Sequence, residues 1–209
     1  MRADYSRALA VFTRTPVLGK IKTRLARSLG DAGALAAHIE LVQGCLGRLQ
    51  LQADTRCELW ITNSAPIVDR WADEYHFTLR YQREGDLGVR MYHCLQELMV
   101  ADVFAAVLVG TDCPSIDSDY IQRAFIALQS SDMVFGPAED GGYGLVGLSH
   151  SALPAASSVF QEIAWGGSTV LTQSLARAAA MQLTVAQLPM IWDVDELADW
   201  HRFQRLDEG

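Results

Sequence analysis

The chain has 209 residues, half of them apolar, which suffices for one sizeable core and argues for a single domain over 1–209. Lysine and arginine number 17 against 25 acidic residues, a formal charge of −8, so the molecule as a whole repels nucleic acid and anionic membranes. Any anion it binds must be bound locally.

The apolar run nearest the start, 8–12, is too short for a signal-peptide core, and no stretch approaches the roughly 18 apolar residues of a membrane helix. Cys45, Cys57, Cys94 and Cys113 form no CxxC pair and no metal-finger spacing, and read as reduced thiols in a cytoplasmic protein.

In chain order, apolar runs of strand length fall at 8–13, 57–62, 78–82, 104–110, 132–137, 143–148 and 183–188, most bounded by Gly, Pro, Asn or Asp. Between them, Leu35, Ile39, Val42, Leu46 and Leu49 recur at helical spacing, and 65–75, 88–100, 117–129 and 168–181 read similarly. A last helix carries Leu197, Trp200 and Phe203. This alternation predicts an α/β fold: a three-layer α/β/α domain with a Rossmann-like, mixed but mainly parallel sheet. The runs 132–137 and 143–148 leave no room for a helical crossover, so one of them pairs antiparallel.

Ligands of open α/β sheets gather outside the carboxyl ends of the strands, so four loops carry the information. The first follows 8–13 and reads R-T-P-V-L-G-K-I-K-T-R-L. It holds the only two lysines of the chain, Lys20 and Lys22, against 15 arginines in the chain as a whole. Pro16 and Gly19 shape a turn. Arg14, Lys20, Lys22 and Arg24 add positive charge beside a helix N-terminus, an arrangement suited to phosphate and otherwise simply a solvated basic turn. With Thr23 as the N-cap, both lysines stay in the loop and converge on one phosphate. The loop matches neither the Walker pattern nor GxGxxG.

The second loop, G-T-D-C-P-S, puts Asp112 at a strand end, where a carboxylate either binds a hard divalent cation or caps a turn or the helix near Asp117. Cys113 beside it has no neighbouring histidine to activate it and reads as a packed bystander. The third, A-E-D-G-G-Y, pairs Glu139 with Asp140 ahead of Gly141–Gly142, either as general acid/base groups or as solvated acids in a turn. The fourth, W-D-V-D-E-L-A-D-W, offers Asp193 and Asp195; one caps the following helix, and the other is then free to face a ligand.

Five segments, TRTPVLGKIKTRLA, GDLGVRM (85–91), GTDCPSI (110–116), FGPAEDGGYGLVGL (135–148) and DVDELADW (193–200), occur in the order seen in a bacterial family of predicted glycosyltransferases. That family is similar to the nucleotide-diphospho-sugar transferases and is connected with arsenosugar biosynthesis; the resemblance spans about residues 8–200. It implies a glycosyltransferase type A fold and a relation to molybdenum-cofactor and phospholactate guanylyltransferases.

The resemblance further implies that Thr13, Arg14, Thr15, Pro16, Gly19, Lys20, Lys22 and Arg24 form the nucleotide-phosphate loop. Asp86, Gly88 and Arg90 would lie near the nucleotide or its sugar, Asp112 and Asp195 would hold a divalent metal (Mg or Mn), and Glu139 and Asp140 would be catalytic. Gly141, Gly142, Tyr143 and Trp165 would contact substrate. Three departures stand out: Glu196 and Leu197 replace the TP of related DVDTPEDL endings, Gly144 replaces a second tyrosine, and Gly166–Gly167 separate Trp165 from Ser168–Thr169.

The expected activity is metal-assisted glycosyl transfer from a nucleotide-sugar to a small-molecule acceptor. Alternatives are nucleotidyl transfer from a nucleoside triphosphate to a phosphorylated small molecule, and non-catalytic nucleotide binding.

Overall fold

All seven expected strands form, their ends within two residues of expectation: β1 (Arg7–Phe12), β2 (Thr55–Ile61), β3 (Thr78–Tyr81), β4 (Ala105–Gly110), β5 (Met133–Pro137), β6 (Tyr143–Ser149) and β7 (Val185–Gln187). The structure is a computed structural model and describes residues 5–49, 54–99 and 103–206. The helices are α1 (Thr23–Arg48), α2 (Pro66–Tyr75), α3 (Leu87–Leu98), α4 (Ser118–Ala127), the short α5 (Leu153–Ala156), α6 (Val170–Ala180) and α7 (Leu197–Gln204). Val100, the expected end of the third helix, lies outside the described residues.

The strands form one sheet in the order β3-β2-β1-β4-β6-β5-β7. Strand β6 is antiparallel to both β4 and β5, and the other pairs are parallel. The expected antiparallel strand is therefore β6, reached from β5 by the tight A-E-D-G-G turn. In β1, Leu9 and Val11 face a core layer shared with Val42 and Leu46 of α1, Trp71 of α2 and Phe125 of α4. Ala8, Ala10 and Phe12 face the opposite layer, with Met91, Leu95 and Leu98 of α3. Burial on both faces is why the run reads as continuously apolar.

From β1 the chain works outward through β2 to the edge strand β3, then returns to place β4 on the other side of β1. Phe12 lies opposite Gly110 at the carboxyl ends of this central pair. The connections diverge here, which opens a crevice between the β1 and β4 loops. A third, smaller core joins Leu25, Ala37 and Leu41 of α1 to Trp192, Val194, Trp200 and Phe203, and so carries the D-V-D segment to the same crevice.

Helix α1 is interrupted at Gly30, whose φ of 69° lies in the left-handed region that glycine alone enters without strain. Its N-cap is Lys22, at φ 46°, and not the expected Thr23. Asp117 caps α4 by accepting from Tyr120 N–H at 2.8 Å, which leaves Asp112 without a capping duty. Neither Asp193 nor Asp195 caps α7. Glu196 does so in a capping box with Asp199, which also accepts from Glu196 N–H at 2.8 Å. The four cysteines are free thiols, and no helix among the described residues is long and apolar enough to cross a membrane.

Candidate active site at the carboxyl ends of β1 and β4

The β1 loop is clamped from below before it reaches the crevice. Thr15 N–H donates to Thr62 Oγ1 at 3.1 Å, its hydroxyl donates to the Asn63 carbonyl, and Asn63 N–H returns a bond to the same hydroxyl at 2.9 Å. Gln82 donates to the carbonyls of Thr13 (3.1 Å) and Trp60 (2.9 Å). His38, buried on α1, donates from Nε2 to the Arg14 carbonyl at 2.9 Å. Burial holds the His38 pKa below its ordinary value, against the opposing hydrogen bond to that carbonyl, so at neutral pH it is an uncharged clamp. Thr15, Pro16 and Gly19 thus shape the loop and line neither cavity described below.

The two lysines part company. Lys22, turned by its left-handed backbone, buries its side chain to 6% exposure and sets Nζ 2.9 Å from Asp112 Oδ2. The same ammonium donates to the Val194 carbonyl at 2.5 Å, and Val194 N–H donates to the Asp112 carbonyl at 2.9 Å. One ammonium therefore ties the β1 loop, the β4 end and the D-V-D segment together. Lys20 lies in the exposed turn and lines neither cavity, so the expected convergence of both side chains is not met.

A cavity of about 500 Å³ opens above this knot, and its cations are Arg14, Lys22, Arg24 and Arg90. Arg90 is held by Gln82 Oε1 at 2.9 Å; burial and then the Arg14 charge press its pKa downward. Asp86, two residues before Gly88, does not line the cavity: its carboxylate caps α3 by accepting from Val89 N–H at 2.8 Å. Gly88 is a packing residue, since a Cβ there would run into the Phe160 carbonyl and the Trp165 ring. Asp195 faces this cavity but pairs with Arg24 at 2.7 Å.

A second cavity, about 270 Å³, adjoins the first and shares Phe12, Asp112 and Asp140 with it. Its walls are mostly apolar, from Met91, Leu108, Leu145 and the rings of Tyr143 and Trp165, which meet edge to face at 6.4 Å. Its charged groups are Asp112, Asp140 and Asp193. The Asp193 carboxyl is pushed up to about 6, chiefly by burial and next by the Asp140 charge, while Lys22 pulls it down.

The paired acids separate. Asp140 faces both cavities, with Oδ1 accepting from Gly142 N–H at 2.8 Å. Glu139 turns outward to Arg202, 3.0 Å away, whose guanidinium lies 4.1 Å over the Trp192 ring. Of the expected catalytic pair, only Asp140 faces the site. Gly141, at φ 87°, packs its α-carbon against the Ser168 carbonyl and accepts from Leu171 N–H at 3.0 Å, which docks the turn on the start of α6. Gly142, Tyr143 and Trp165 line the second cavity, and Gly166, one of the two inserted glycines, lines both.

The donor set suits a hard cation: three carboxylates border the crevice, and burial together with mutual repulsion makes the Asp193 charge costly in the absence of a cation. Among the described residues no three His, Cys, Asp or Glu form a ready cage, so a divalent ion here would complete its shell with phosphate oxygens and water. Asp193, more than Asp195, shares the electrostatic neighbourhood of Asp112 and Asp140. Cys113 is buried and its thiol pushed up by burial and the Asp112 charge, so it is inert.

Sequence reasoning missed His38, Gln82 and Thr111 as cavity residues. His38 lies within α1 beyond the TRTPVLGKIKTRLA segment, and Gln82 follows β3 just ahead of GDLGVRM; Thr111 sat unremarked beside Asp112.

A family model described as "Uncharacterized protein conserved in bacteria (DUF2064)" matches residues 45–167. No curated protein gives a significant sequence match. Among solved structures, a proposed nucleotide-diphospho-sugar transferase from Desulfovibrio desulfuricans G20 is 29% identical with a TM-score of 0.87, over 98% of this chain and 89% of that one.

More distant structures share the fold. One is 4-diphosphocytidyl-2C-methyl-D-erythritol synthase from Anaerococcus prevotii, 8% identical at a TM-score of 0.64 over 99% and 100% of the two chains. Another is glucosyl-3-phosphoglycerate synthase from Mycobacterium tuberculosis, solved with Mn2+, UDP and glucosyl-3-phosphoglycerate, 9% identical at 0.57 over 95% and 75%. The expected nucleotide-diphospho-sugar transferase fold is borne out.

Proposed function

The chain belongs to this conserved bacterial family, DUF2064, and from that premise we propose that it is a cytoplasmic transferase moving a glycosyl group from a nucleotide-sugar to a small-molecule acceptor. The observation that carries the reading is the meeting of a basic, polar cavity with an acidic, apolar one at Asp112 and Asp140, in the crevice between β1 and β4.

In this reading Arg14, Lys22, Arg24 and Arg90 bind the donor diphosphate in the first cavity. Asp195 orients Arg24, Thr13 lines the cavity beside them, and Asp86, Gly88, Thr15, Pro16 and Gly19, outside its lining, shape the β1 loop and the start of α3 that carry these cations. Asp112 and Asp193 are the residues that would hold a divalent ion, Mg or Mn, which when bound would supply positive charge near the diphosphate. As the bond from the anomeric carbon to the diphosphate oxygen breaks, its electron pair leaves with the diphosphate, and Lys22 stabilises the charge that develops. The acceptor oxygen forms the new bond to the anomeric carbon, and its proton passes to Asp140 Oδ2 while Oδ1 keeps its bond to Gly142 N–H. Gly142, Tyr143 and Trp165 line the space for the acceptor.

A thermal-shift panel of nucleoside triphosphates and nucleotide-sugars, with and without Mg or Mn, tests the reading. A ligand at 100 times its Kd adds about 2.7 kcal/mol to stability, an unmistakable shift. Metal-dependent stabilisation by a nucleotide-sugar, followed by release of nucleoside diphosphate on adding an acceptor, supports glycosyl transfer. Preference for triphosphates over every nucleotide-sugar assigns the site to nucleotidyl transfer. Binding without turnover under any acceptor makes the protein a nucleotide sensor.

A further inference from the structure

The second cavity has a composition that selects its occupant. Among the described residues that line it there is no lysine, arginine or histidine, and its three charges are all carboxylates, Asp112, Asp140 and Asp193. The nearest ammonium, Lys22, has Asp112 Oδ2 and the Val194 carbonyl on two of its three N–H groups and lines the first cavity, not this one. Counting Lys22 and one divalent ion against the three carboxylates gives a sum of zero, and a donor diphosphate would make it negative. A phosphate or carboxylate entering here would lose its water with no cation to replace it, and burying a charge unpaired is among the costliest events in a protein.

The remaining polar capacity is of a different kind. Tyr143 and Trp165 present rings along the wall; the Tyr143 hydroxyl lies beside Ser174, and the Trp165 Nε1–H is buried with no hydrogen-bond partner among the described residues. An indole N–H only donates, so it asks for a neutral oxygen acceptor. Buried polar atoms left without partners cost stability that a ligand can restore.

We propose that this cavity binds an uncharged, hydroxyl-bearing ring against Tyr143 and Trp165 and rejects phosphorylated and carboxylated compounds. The second substrate is then a neutral alcohol and not a phosphomonoester. The inference rests on the transferase reading for its use, but it stands on the lining of the cavity alone.

The test compares matched pairs in saturation-transfer NMR: methyl β-glucopyranoside against glucose 6-phosphate, and glycerol against glycerol 3-phosphate. The protein carries Mg2+ and whichever nucleoside diphosphate most raises its Tm, and the series is repeated without nucleotide. The neutral ring is expected to bind at least about tenfold more tightly than its phosphate ester. Trp165→Phe, which keeps a ring and removes the N–H, should weaken the neutral ring by roughly three- to tenfold, the range of one neutral hydrogen bond, with its Tm confirming that it folds.

Equal or tighter binding of the esters, binding of neither member of the glucose pair, or a Trp165→Phe variant that binds the neutral ring as the wild type does would each overturn the proposal. Failure of every nucleotide to shift the Tm would instead count against the transferase reading, since the pairs are also measured without nucleotide.

Discussion

Lys22 Nζ sits 2.9 Å from Asp112 Oδ2, and this contact joins the loop after β1 to the loop after β4 at the point where the sheet's connections diverge. The lysine is almost fully buried while the carboxylate remains half exposed, so the pair presents its acidic side to the crevice. Lys20, two residues away, has no such engagement. The consequence is an asymmetry between two residues of the same type in the same turn.

Lys22→Ala is therefore expected to weaken nucleotide binding by roughly 10- to 150-fold, the equivalent of about 1.5 to 3 kcal/mol for a hydrogen bond to a charged group. Lys20→Ala should change it less than about twofold, as an exposed surface charge does. Calorimetric titration of both variants checks the pair; equal losses would mean that Lys20 swings inward when ligand binds.

Among the acids, Asp140→Asn should lower turnover by about 10²- to 10⁴-fold, the usual contribution of a positioned general base. Glu139→Gln should leave turnover near wild type, because Glu139 is committed to Arg202 outside the cavities. Asp112→Asn should keep the fold and lose metal-dependent turnover, since the amide preserves shape without the charge a hard cation needs. Steady-state assays at several Mg or Mn concentrations separate the three.

The pH dependence of stability reports on Asp193. Its carboxyl is raised to about 6, mainly by burial and then by Asp140, so the folded chain binds this proton more tightly than the unfolded chain does. The group's contribution to stability is full below about pH 4 and is lost as pH rises through about 6. Asp193→Asn removes that loss: its Tm should exceed wild type near neutral pH, and the gap should close toward pH 4. Added Mg2+ should narrow the gap at neutral pH by stabilising the wild-type carboxylates. A pH-independent difference would mean that Asp193 is well solvated.

Gly141→Ala tests the docking of the acidic turn on α6. The residue sits at φ 87°, and a Cβ would press into the Ser168 backbone. A loss of about 2 kcal/mol or more is expected from the combined strain and clash. Chemical denaturation measures it, and a neutral outcome would show that the turn and the start of α6 can separate.

Much of this molecule was legible before any coordinates. The central strands stood out because strands buried on both faces must be apolar throughout, and 104–110 became β4 for that reason. The short gap between 132–137 and 143–148 leaves no room for a crossover, which made the antiparallel turn a local inference. The family resemblance also pointed to the β1 loop, Asp112 and the A-E-D-G-G turn as neighbours.

Which side chain of each motif faces inward was another matter, because direction depends on backbone angles set by distant packing. Lys22 turns in because its backbone is left-handed at the start of α1, and Glu139 turns out because Arg202, 63 residues along the chain, waits beside it. Asp193 joins Asp112 and Asp140 because a small core of Leu25, Leu41, Trp192 and Trp200 draws the D-V-D segment against α1. His38 and Gln82 entered the site from positions outside every motif, one within α1 and one just after β3. Periodicity and spacing are local properties of a chain and survive in its sequence. The convergence of four loops on one ammonium and three carboxylates is a non-local property, and only the folded chain contains it.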